Sequence, residues 1–395
     1  TRLNEADFAM SKIAADEKYG GTLLRRAIDY FCHLAVDPAF YGQLSSNDKE
    51  FMQSEYEPKL RWLKDKREDI YDPDYNDMLR VSFMHMFGRG KLGDLVSLLS
   101  GRDFQDRKYK EEIAQDSFNK LREGVHNFMN EYHFSQFVLA FKSAGFVSSK
   151  MLNSKMTLDF AYTIYLLLQK TNQVSKNEIK RYIQKWFVLS NLTGRYIGSP
   201  ESQMDRDLRS IAEKGFVEFF RENEQSMLTD SFWEIRLVQN LETSSISSPY
   251  FNTYIAAQIF FGDRSLLSSS AKVADLITVM GDVHHIFPKA YLVENGFNDK
   301  RWYNQVANYT FLDANVNRII LKKAPGEYFS EALGQCDTGI PVIGTILDKN
   351  MFYENLTANC VPHSVVQMTA KDYPDFLTER RKLMAKKIRD YYYAL

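Results

Sequence analysis

One apolar segment constrains the fold more than any other part of this sequence. In MTLDFAYTIYLLLQK, residues 156–170, apolar side chains surround nearly the whole circumference of a helix. Its longest apolar run lies within residues 160–168 and is shorter than the roughly 20 residues that a membrane span needs. The segment is therefore predicted to be a central core helix that other helices cover.

The sequence on both sides of this segment has the periodicity of amphipathic helices. Residues 54–69 (SEYEPKLRWLKDKRED) and 109–132 (YKEEIAQDSFNKLREGVHNFMNEY) place apolar residues three and four positions apart, with charges between them. Ser175 and Glu178 have the spacing of a capping box, which predicts a helix start near residue 176. We expect one large helical domain over residues 1–270.

The composition excludes several classes of protein. The chain has 395 residues, of which 44% are hydrophobic and 14% aromatic, so it can bury a large core and is unlike a disordered chain. The net charge is −1, so a nucleic-acid partner would need local basic patches. Three cysteines without a C-x-x-C pair, together with the lack of a secretory signal, favour a cytoplasmic protein. The first residues resemble mid-protein sequence, which indicates a fragment.

The character of the sequence changes near residue 270. Residues 274–287 (ADLITVMGDVHHIF) are rich in β-branched residues, and 308–313 (NYTFLD) is a second strand candidate. Residues 314–324 (ANVNRIILKKA) have a helical pattern that ends at a proline, and 371–395 is a basic amphipathic helix. The predicted order is strand, long loop, strand and helix, followed by a terminal helix.

Four side chains in this region form the candidate site: His284, His285, Asn308 and Asn317. A helix packed on a two-stranded hairpin would bring Asn317 beneath the histidine pair. One divalent ion could then bind His284 and Asn317 while His285 takes a proton from the attacking water. Neutral nitrogen and oxygen ligands with open water positions favour Mg²⁺ or Mn²⁺, whereas a tight Zn²⁺ site would need thiolates or carboxylates.

Each of these residues also has an ordinary structural explanation. A strand histidine is more often a hydrogen-bonded core residue, and asparagine before a strand is a common turn residue. Adjacent strand side chains point to opposite faces, so both histidines serve one centre only if the strand twists, bulges or ends there. Asp282 is either a further ligand or a carboxylate at the hairpin entry.

Basic residues follow the candidate site. Arg318, Lys322 and Lys323 are either phosphate contacts beside the scissile bond or a solvated helix face. The segment 380–389 (RRKLMAKKIR) either tracks a DNA backbone or packs on the body. The remaining histidines lack ligand spacing and are predicted to be structural; they are His33, His85, His126, His133 and His363.

The stretch DVHHIFP, followed by NQVANYTFLDANVN, resembles the ββα-metal (H-N-H) nuclease motif. Position by position, the resemblance assigns a metal-ligand role to His284 and the general-base role to His285. It assigns Asn308 to the middle asparagine, which braces the loop and orients the base, and Asn317 to the last metal-ligand position. Many relatives have His in place of Asn317 and Asp in place of His284, so two neutral ligands should bind the metal more weakly.

Four further segments resemble the GmrSD-like restriction endonuclease family; they are residues 2–35, 195–208, 249–276 and 375–388. Members of this family join an N-terminal ParB-like, nucleotide-dependent domain to a C-terminal H-N-H region. The Gln-Gln-Arg-type motif of the N-terminal domain is absent from this sequence. Any nucleotide-driven activity is therefore expected in an upstream domain of the same protein.

The resemblance implies a mainly α protein in three parts: a helical domain over 1–270, a small H-N-H module over 271–330 and a C-terminal helical extension over 331–395 that packs on the body. The expected activity is metal-dependent hydrolysis of DNA in restriction or defence against foreign or modified DNA. DNA and the upstream nucleotide-dependent domain are the expected partners, with no membrane. The alternatives are a non-catalytic helical DNA-binding or interaction protein with a degenerate H-N-H fold, and an RNA nuclease.

Overall fold

The computed structural model describes residues 3–67, 70–152, 154–171, 173–279 and 283–395. The protein is mainly helical, as the sequence predicts. It divides into two compact units, the first comprising Thr1–Ala140 and Ser154–Glu224 and the second Phe141–Asn153 and Gln225–Leu395. The expected boundary near residue 270 lies inside the second unit, and the expected module over 271–330 is a part of that unit. Of the helices in these described ranges, none is long and apolar enough to cross a membrane.

The first unit is built from helices, and two of them, α9 and α13, end in the second unit. Their bounds are α1 (Glu5–Ala14), α2 (Gly21–Val36), α3 (Phe40–Asn47), α4 (Lys49–Met52), α5 (Glu57–Leu60), α6 (Tyr75–Phe87), α7 (Gly93–Leu99), α8 (Glu111–Met129), α9 (Glu131–Ser143), α10 (Lys155–Thr171), α11 (Lys176–Thr193), α12 (Pro200–Lys214) and α13 (Phe216–Met227).

Helix α10 forms the centre of the first unit and packs against α6 and α11. Almost every side chain from Thr157 to Leu168 is buried. Tyr162 stacks on Phe137 with 4.5 Å between ring centroids, and its hydroxyl donates to the Phe128 carbonyl oxygen at 2.9 Å. The prediction of a core helix is confirmed, because a helix that is apolar all round is stable only when it is covered on every side.

Helix α11 begins at Lys176, where the capping box predicts a start. The Glu178 carboxylate accepts from the Ser175 hydroxyl at 2.7 Å and from the Ser175 backbone N–H at 3.3 Å. After the helix, the Arg195 guanidinium donates two hydrogen bonds to the Asp207 carboxylate, at 2.6 and 2.8 Å, and lies over the Trp186 ring. This buried ion pair fixes the loop between α11 and α12.

The second unit contains both strands of the described chain. Its elements are a π-helical turn (Phe232–Arg236), α14 (Leu237–Asn240), α15 (Pro249–Phe260), α16 (Val273–Val279), β1 (His284–His285), α17 (Lys289–Glu294), α18 (Lys300–Tyr303), β2 (Tyr309–Thr310), α19 (Ala314–Ile320), α20 (Pro325–Thr338), α21 (Lys349–Ala358) and α22 (Tyr373–Ala394). Strands β1 and β2 are antiparallel, with His284 opposite Thr310 and His285 opposite Tyr309.

The structure differs from the sequence expectation just before β1. Residues 274–287 have the composition of a strand, but Val273–Val279 is helical and the strand is limited to His284–His285. The physical reason is the partner strand: β2 offers only two residues for pairing, and β-branched residues favour a strand only where a neighbouring strand covers them.

The terminal helix α22 packs against α14 and α15. Its apolar side chains Leu377, Met384 and Ile388 are buried. Lys387, in the basic segment, forms an ion pair with Asp263 at 2.5 Å, and both side chains are largely buried. Part of the basic segment 380–389, which could otherwise contact DNA, is therefore occupied by contacts within the second unit.

Candidate active site

Strands β1 and β2 and the helix α19 follow one another in the expected order. The ladder is short, because each strand has two residues. Helix α19 begins at Ala314 directly after Asp313, whose carboxylate caps it by accepting from the Asn315 backbone N–H at 2.8 Å. The order of elements agrees with the sequence, and the identity of this arrangement as an H-N-H module stays a prediction.

Four buried side chains bond to the main chain around the strand pair: Asn308, Tyr328, Tyr373 and Arg380. We call them the buried brace. Each is at most 1% exposed. A two-residue ladder satisfies few backbone groups, and buried backbone carbonyls left without a partner cost free energy. Side chains must therefore supply the donors that a longer sheet would provide.

Asn308 joins both ends of the loop between the strands. Its side-chain oxygen accepts from the Phe287 backbone N–H at 2.8 Å. Its amide nitrogen donates to the Phe287 and Tyr303 carbonyl oxygens, each at 3.1 Å. Because both N–H donors and the acceptor oxygen already bond to the main chain, Asn308 positions the loop rather than contacting a substrate.

Arg380 of α22 holds the chain on both sides of Asn308. Its guanidinium donates to the Ala307 carbonyl oxygen at 2.9 Å, to that of Tyr309 at 2.7 Å and to that of Asn359 at 3.3 Å. Desolvating a guanidinium is costly, and hydrogen bonds to several carbonyl dipoles offset that cost. The terminal helix thereby fixes the register of β2.

Two phenols complete the buried brace. The Tyr328 hydroxyl donates to the Ile286 carbonyl oxygen at 2.7 Å, and the Tyr373 hydroxyl donates to that of Trp302 at 2.8 Å. Burial raises the pKa of both phenols above the usual value of tyrosine. Both hydroxyls therefore keep their protons, and both bonds persist, at neutral and moderately alkaline pH.

A second set of residues surrounds the His285 imidazole: Asn304, Tyr303 and Lys289. We call these three and His285 the His285 cluster. The His285 Nε2–H donates to the Asn304 side-chain oxygen at 3.0 Å. The imidazole also meets the Tyr309 ring edge-on, with 5.3 Å between centroids. Since a carboxamide oxygen can only accept, this bond holds the proton on Nε2 and leaves Nδ1 as a base.

The surroundings of His285 favour its neutral form. Burial lowers the pKa of the imidazole, the positive charges of Lys289 and of protonated His284 lower it further, and the hydrogen bond to Asn304 raises it in part. Neutral imidazole is the form that can accept a proton from water.

The buried brace and the His285 cluster meet at the chain that leads to Asn304. Tyr373 holds the Trp302 carbonyl and Asn308 holds the Tyr303 carbonyl, so two consecutive peptide groups are fixed immediately before Asn304. Asn304 can reach His285 because these bonds set the path of the main chain.

The two candidate metal ligands lie on β1 and α19. His284 is half-buried, and Asn317 is exposed on the helix, where its backbone N–H donates to the Asp313 carbonyl at 3.0 Å. Among the residues that the structure describes, no group of three or more His, Cys, Asp or Glu side chains is placed to hold a metal ion. Asp282 lies outside the described residues. One imidazole and one carboxamide, completed by water, form a donor set that suits Mg²⁺ or Mn²⁺, and their joint binding stays a prediction.

Two of the predicted phosphate contacts have carboxylate partners. The Lys322 ammonium lies 2.7 Å from a Glu294 carboxylate oxygen, and Lys323 lies 2.6 Å from Glu331. Arg318 is exposed on α19. Lys322 and Lys323 would have to leave these carboxylates in order to bind a phosphate.

The sequence predictions gave no role to Asn304 or Lys289, and they included Arg380 only as part of the basic segment 380–389. Asn304 is separated from His285 by the insertion that carries α17 and α18, and no residue spacing indicates their contact. A signal for Arg380 does exist, because Leu377 and Met384 place it within an apolar stripe of helical spacing.

Comparisons with known proteins give one distant similarity. The chain is similar to an uncharacterized protein of Methanocaldococcus jannaschii, with 25% identity over 155 residues, which is 38% of this chain and 25% of that protein. The chain thus spans about a quarter of the length of this relative. No family model matches the chain, and no solved structure matches it.

Proposed function

We propose that this chain is a metal-dependent DNA endonuclease that hydrolyses phosphodiester bonds, with the ββα-metal (H-N-H) arrangement that its sequence resembles. The observation that carries the proposal is the state of His285. Its Nε2–H bonds to Asn304 and its pKa is lowered, so Nδ1 is available as a base at neutral pH.

His284 and Asn317 are the residues that would hold the cation. A bound Mg²⁺ or Mn²⁺ would offset the negative charge that builds on the phosphate and the leaving oxygen. His285 Nδ1 takes the proton from the attacking water. Asn304 maintains the tautomer that makes this possible, and Asn308 maintains the position of Asn304 through the Tyr303 carbonyl.

The biological role that we propose is restriction or defence against foreign or modified DNA, in the cytoplasm, together with a nucleotide-dependent domain upstream. This role follows by analogy with the GmrSD-like family and not from the site residues themselves. RNA carries the same phosphodiester, so an RNA substrate is an outcome that the experiment must separate from DNA.

Nicking of supercoiled plasmid tests the proposal. The wild type, His285→Ala and His363→Ala are compared with Mg²⁺, with Mn²⁺ and with a chelator. His363 is an exposed histidine of the same unit and provides a matched control. We expect metal-dependent nicking by the wild type and by His363→Ala, and a rate about 10²- to 10⁴-fold lower for His285→Ala, which is the range of general-base catalysis.

Three other results would contradict all or part of the proposal. Nicking by His285→Ala at the wild-type rate would remove His285 from the mechanism. Cleavage of RNA but not of DNA would change the substrate class. Failure of the wild type to cleave either nucleic acid with either metal would contradict the proposal and leave a non-catalytic interaction protein.

A further inference from the structure

The cations around the strand pair differ in whether a carboxylate already neutralises them. Lys322 and Lys323 are paired with Glu294 and Glu331, as described above. Arg301 forms an ion pair with Asp299 at 2.6 Å. A phosphate can bind these side chains only by competing with a carboxylate.

Lys289 is different. Like Arg318, whose guanidinium donates to the Asn315 side-chain oxygen at 3.5 Å, it has no carboxylate partner among the described residues, and it is set apart from Arg318 by the Tyr303 ring beneath its ammonium. It is the first residue of α17, and its side chain is exposed. Its ammonium lies 5.2 Å from the centroid of the Tyr303 ring. Among the residues that the structure describes, no carboxylate lies within ion-pairing distance of the Lys289 ammonium. Its positive charge is therefore available to a ligand.

The buried brace and the hydrogen-bonded imidazole fix the location of this charge. The Tyr303 main chain is held by Asn308, and the Tyr303 ring lies 6.4 Å from the His285 ring. A cation over an aromatic ring is attracted to the negative face of the ring, which favours those positions of the long lysine side chain that lie over Tyr303. Tyr303 thus holds the Lys289 ammonium beside His285.

We propose that Lys289 binds a backbone phosphate of the nucleic-acid substrate beside His285, with the Tyr303 ring as its support. This inference rests on the proposed nuclease function and deepens it, because it names the residue that anchors the polyanion. It also transfers the role of principal phosphate contact from Lys322 and Lys323 to a residue in the insertion between the strands. Phosphate contacts of this kind set the register of a nucleic acid without reading its sequence.

Binding and cleavage by three variants test the inference. Lys289→Gln removes the charge, Lys289→Arg retains it, and Lys349→Gln removes an exposed charge from α21 as the matched control. Binding to a fluorescein-labelled DNA duplex is measured by anisotropy with a chelator at several salt concentrations. Plasmid nicking with Mn²⁺ then gives kcat and KM.

For Lys289→Gln we expect about five- to tenfold weaker binding, a salt slope smaller by about one, and a higher KM with little change in kcat. Lys289→Arg and Lys349→Gln should bind and cleave as the wild type does. If the wild type binds and cleaves DNA but Lys289→Gln matches Lys349→Gln in affinity and salt slope, the inference is wrong and the nuclease function stands. If the wild type neither binds nor cleaves DNA or RNA, the proposed function and this inference are both wrong.

Discussion

The buried brace and the His285 cluster lie against the same two strands, but they differ in which of their hydrogen-bonding and charged groups remain available to a ligand. In the buried brace, Asn308 directs its oxygen and both of its amide hydrogens to the main chain, and Arg380 bonds to three carbonyl oxygens. In the His285 cluster, His285 retains Nδ1 and Lys289 retains its charge. Satisfied polar groups stabilise a fold, and unsatisfied groups at a surface are available for chemistry.

This difference gives the two sets opposite expected responses to mutation. Substitutions in the buried brace should lower stability first and activity as a consequence. Substitutions in the His285 cluster should change activity while the fold remains. Substitutions of Arg380, Asn308 and Asn304 test this separation, and His85 of the first unit adds a buried group that can titrate, in order of decreasing expected effect.

Arg380→Met should lower the free energy of unfolding by about 4 kcal/mol, because the buried Ala307 and Tyr309 carbonyls lose their donor and the Asn359 carbonyl retains only the Tyr254 hydroxyl. Denaturant unfolding measures the change. Lys386→Ala, at an exposed position of the same helix, should change the stability by less than about 0.5 kcal/mol. Equal stability of Arg380→Met and the wild type would show that the hydrogen bonds of the guanidinium do not stabilise the fold.

Asn308→Ala should cost about 3 kcal/mol, since the Phe287 N–H and the Phe287 and Tyr303 carbonyls lose a buried partner. Hydrogen exchange should accelerate in residues 286–304, where these groups lie. Asn298→Ala, at an exposed position, provides the control. If hydrogen exchange in residues 286–304 is as slow in Asn308→Ala as in the wild type, Asn308 does not stabilise the loop.

A decrease in pH should lower the stability of the first unit through His85. This buried side chain can titrate, whereas the amide and the guanidinium of the buried brace do not. Burial and the charges of Lys170 and His133 lower the pKa of His85 to about 4, and Asn127 donates to its unprotonated Nε2 at 3.2 Å. The unfolded chain, with a pKa near 6.5, binds the proton first, so stability falls as the pH decreases from about 6.5 towards 4.

Between pH 7 and pH 5 we expect this one group to cost about 2 kcal/mol. Denaturant midpoints of the wild type and His85→Gln across this range give the difference. His85→Gln should show a shallower dependence on pH, and an identical slope in both proteins would mean that His85 is not the titrating group.

Asn304→Ala should have the smallest effect on stability, below about 1 kcal/mol, because it removes one hydrogen bond at a half-buried site. Nicking should slow about tenfold, and the ¹⁵N signals of His285 should shift towards a mixture of tautomers. Asn304→Asp, which retains an acceptor oxygen, should restore the Nε2–H tautomer. If Asn304→Ala leaves the tautomer of His285 unchanged, Asn304 does not determine which nitrogen of His285 carries the proton.

The parts of the fold that the sequence predicts are those that local interactions determine. The apolar pattern of residues 156–170 identifies the core helix α10, and the Ser175–Glu178 capping box identifies the start of α11. Both signals act within a few residues, so they need no knowledge of the tertiary fold. The short strands and α19 also occur in the expected order, because Pro288 and Asp313 limit the segments locally.

The parts that the sequence does not reveal depend on contacts between distant residues. Asn304 reaches His285 only after the α17–α18 insertion folds back, and Tyr373 of the terminal helix holds that insertion by the Trp302 carbonyl. The basic pattern of α22 predicts either contact with a DNA backbone or packing on the body, and it does not reveal that Arg380 is fully buried, where it supplies the donors that the short strands lack. Which cation remains unpaired also depends on tertiary contacts, as Lys322 and Lys289 show.

Calorimetric titration with Mn²⁺ tests most directly whether β1 and α19 hold a cation beside His285. We expect one Mn²⁺ bound per wild-type chain, with about 10- to 100-fold weaker binding in His284→Ala and in Asn317→Ala and unchanged binding in His363→Ala. Absence of Mn²⁺ binding by the wild type, or binding by His284→Ala and Asn317→Ala as strong as that of the wild type, would contradict a cation site formed by these two residues.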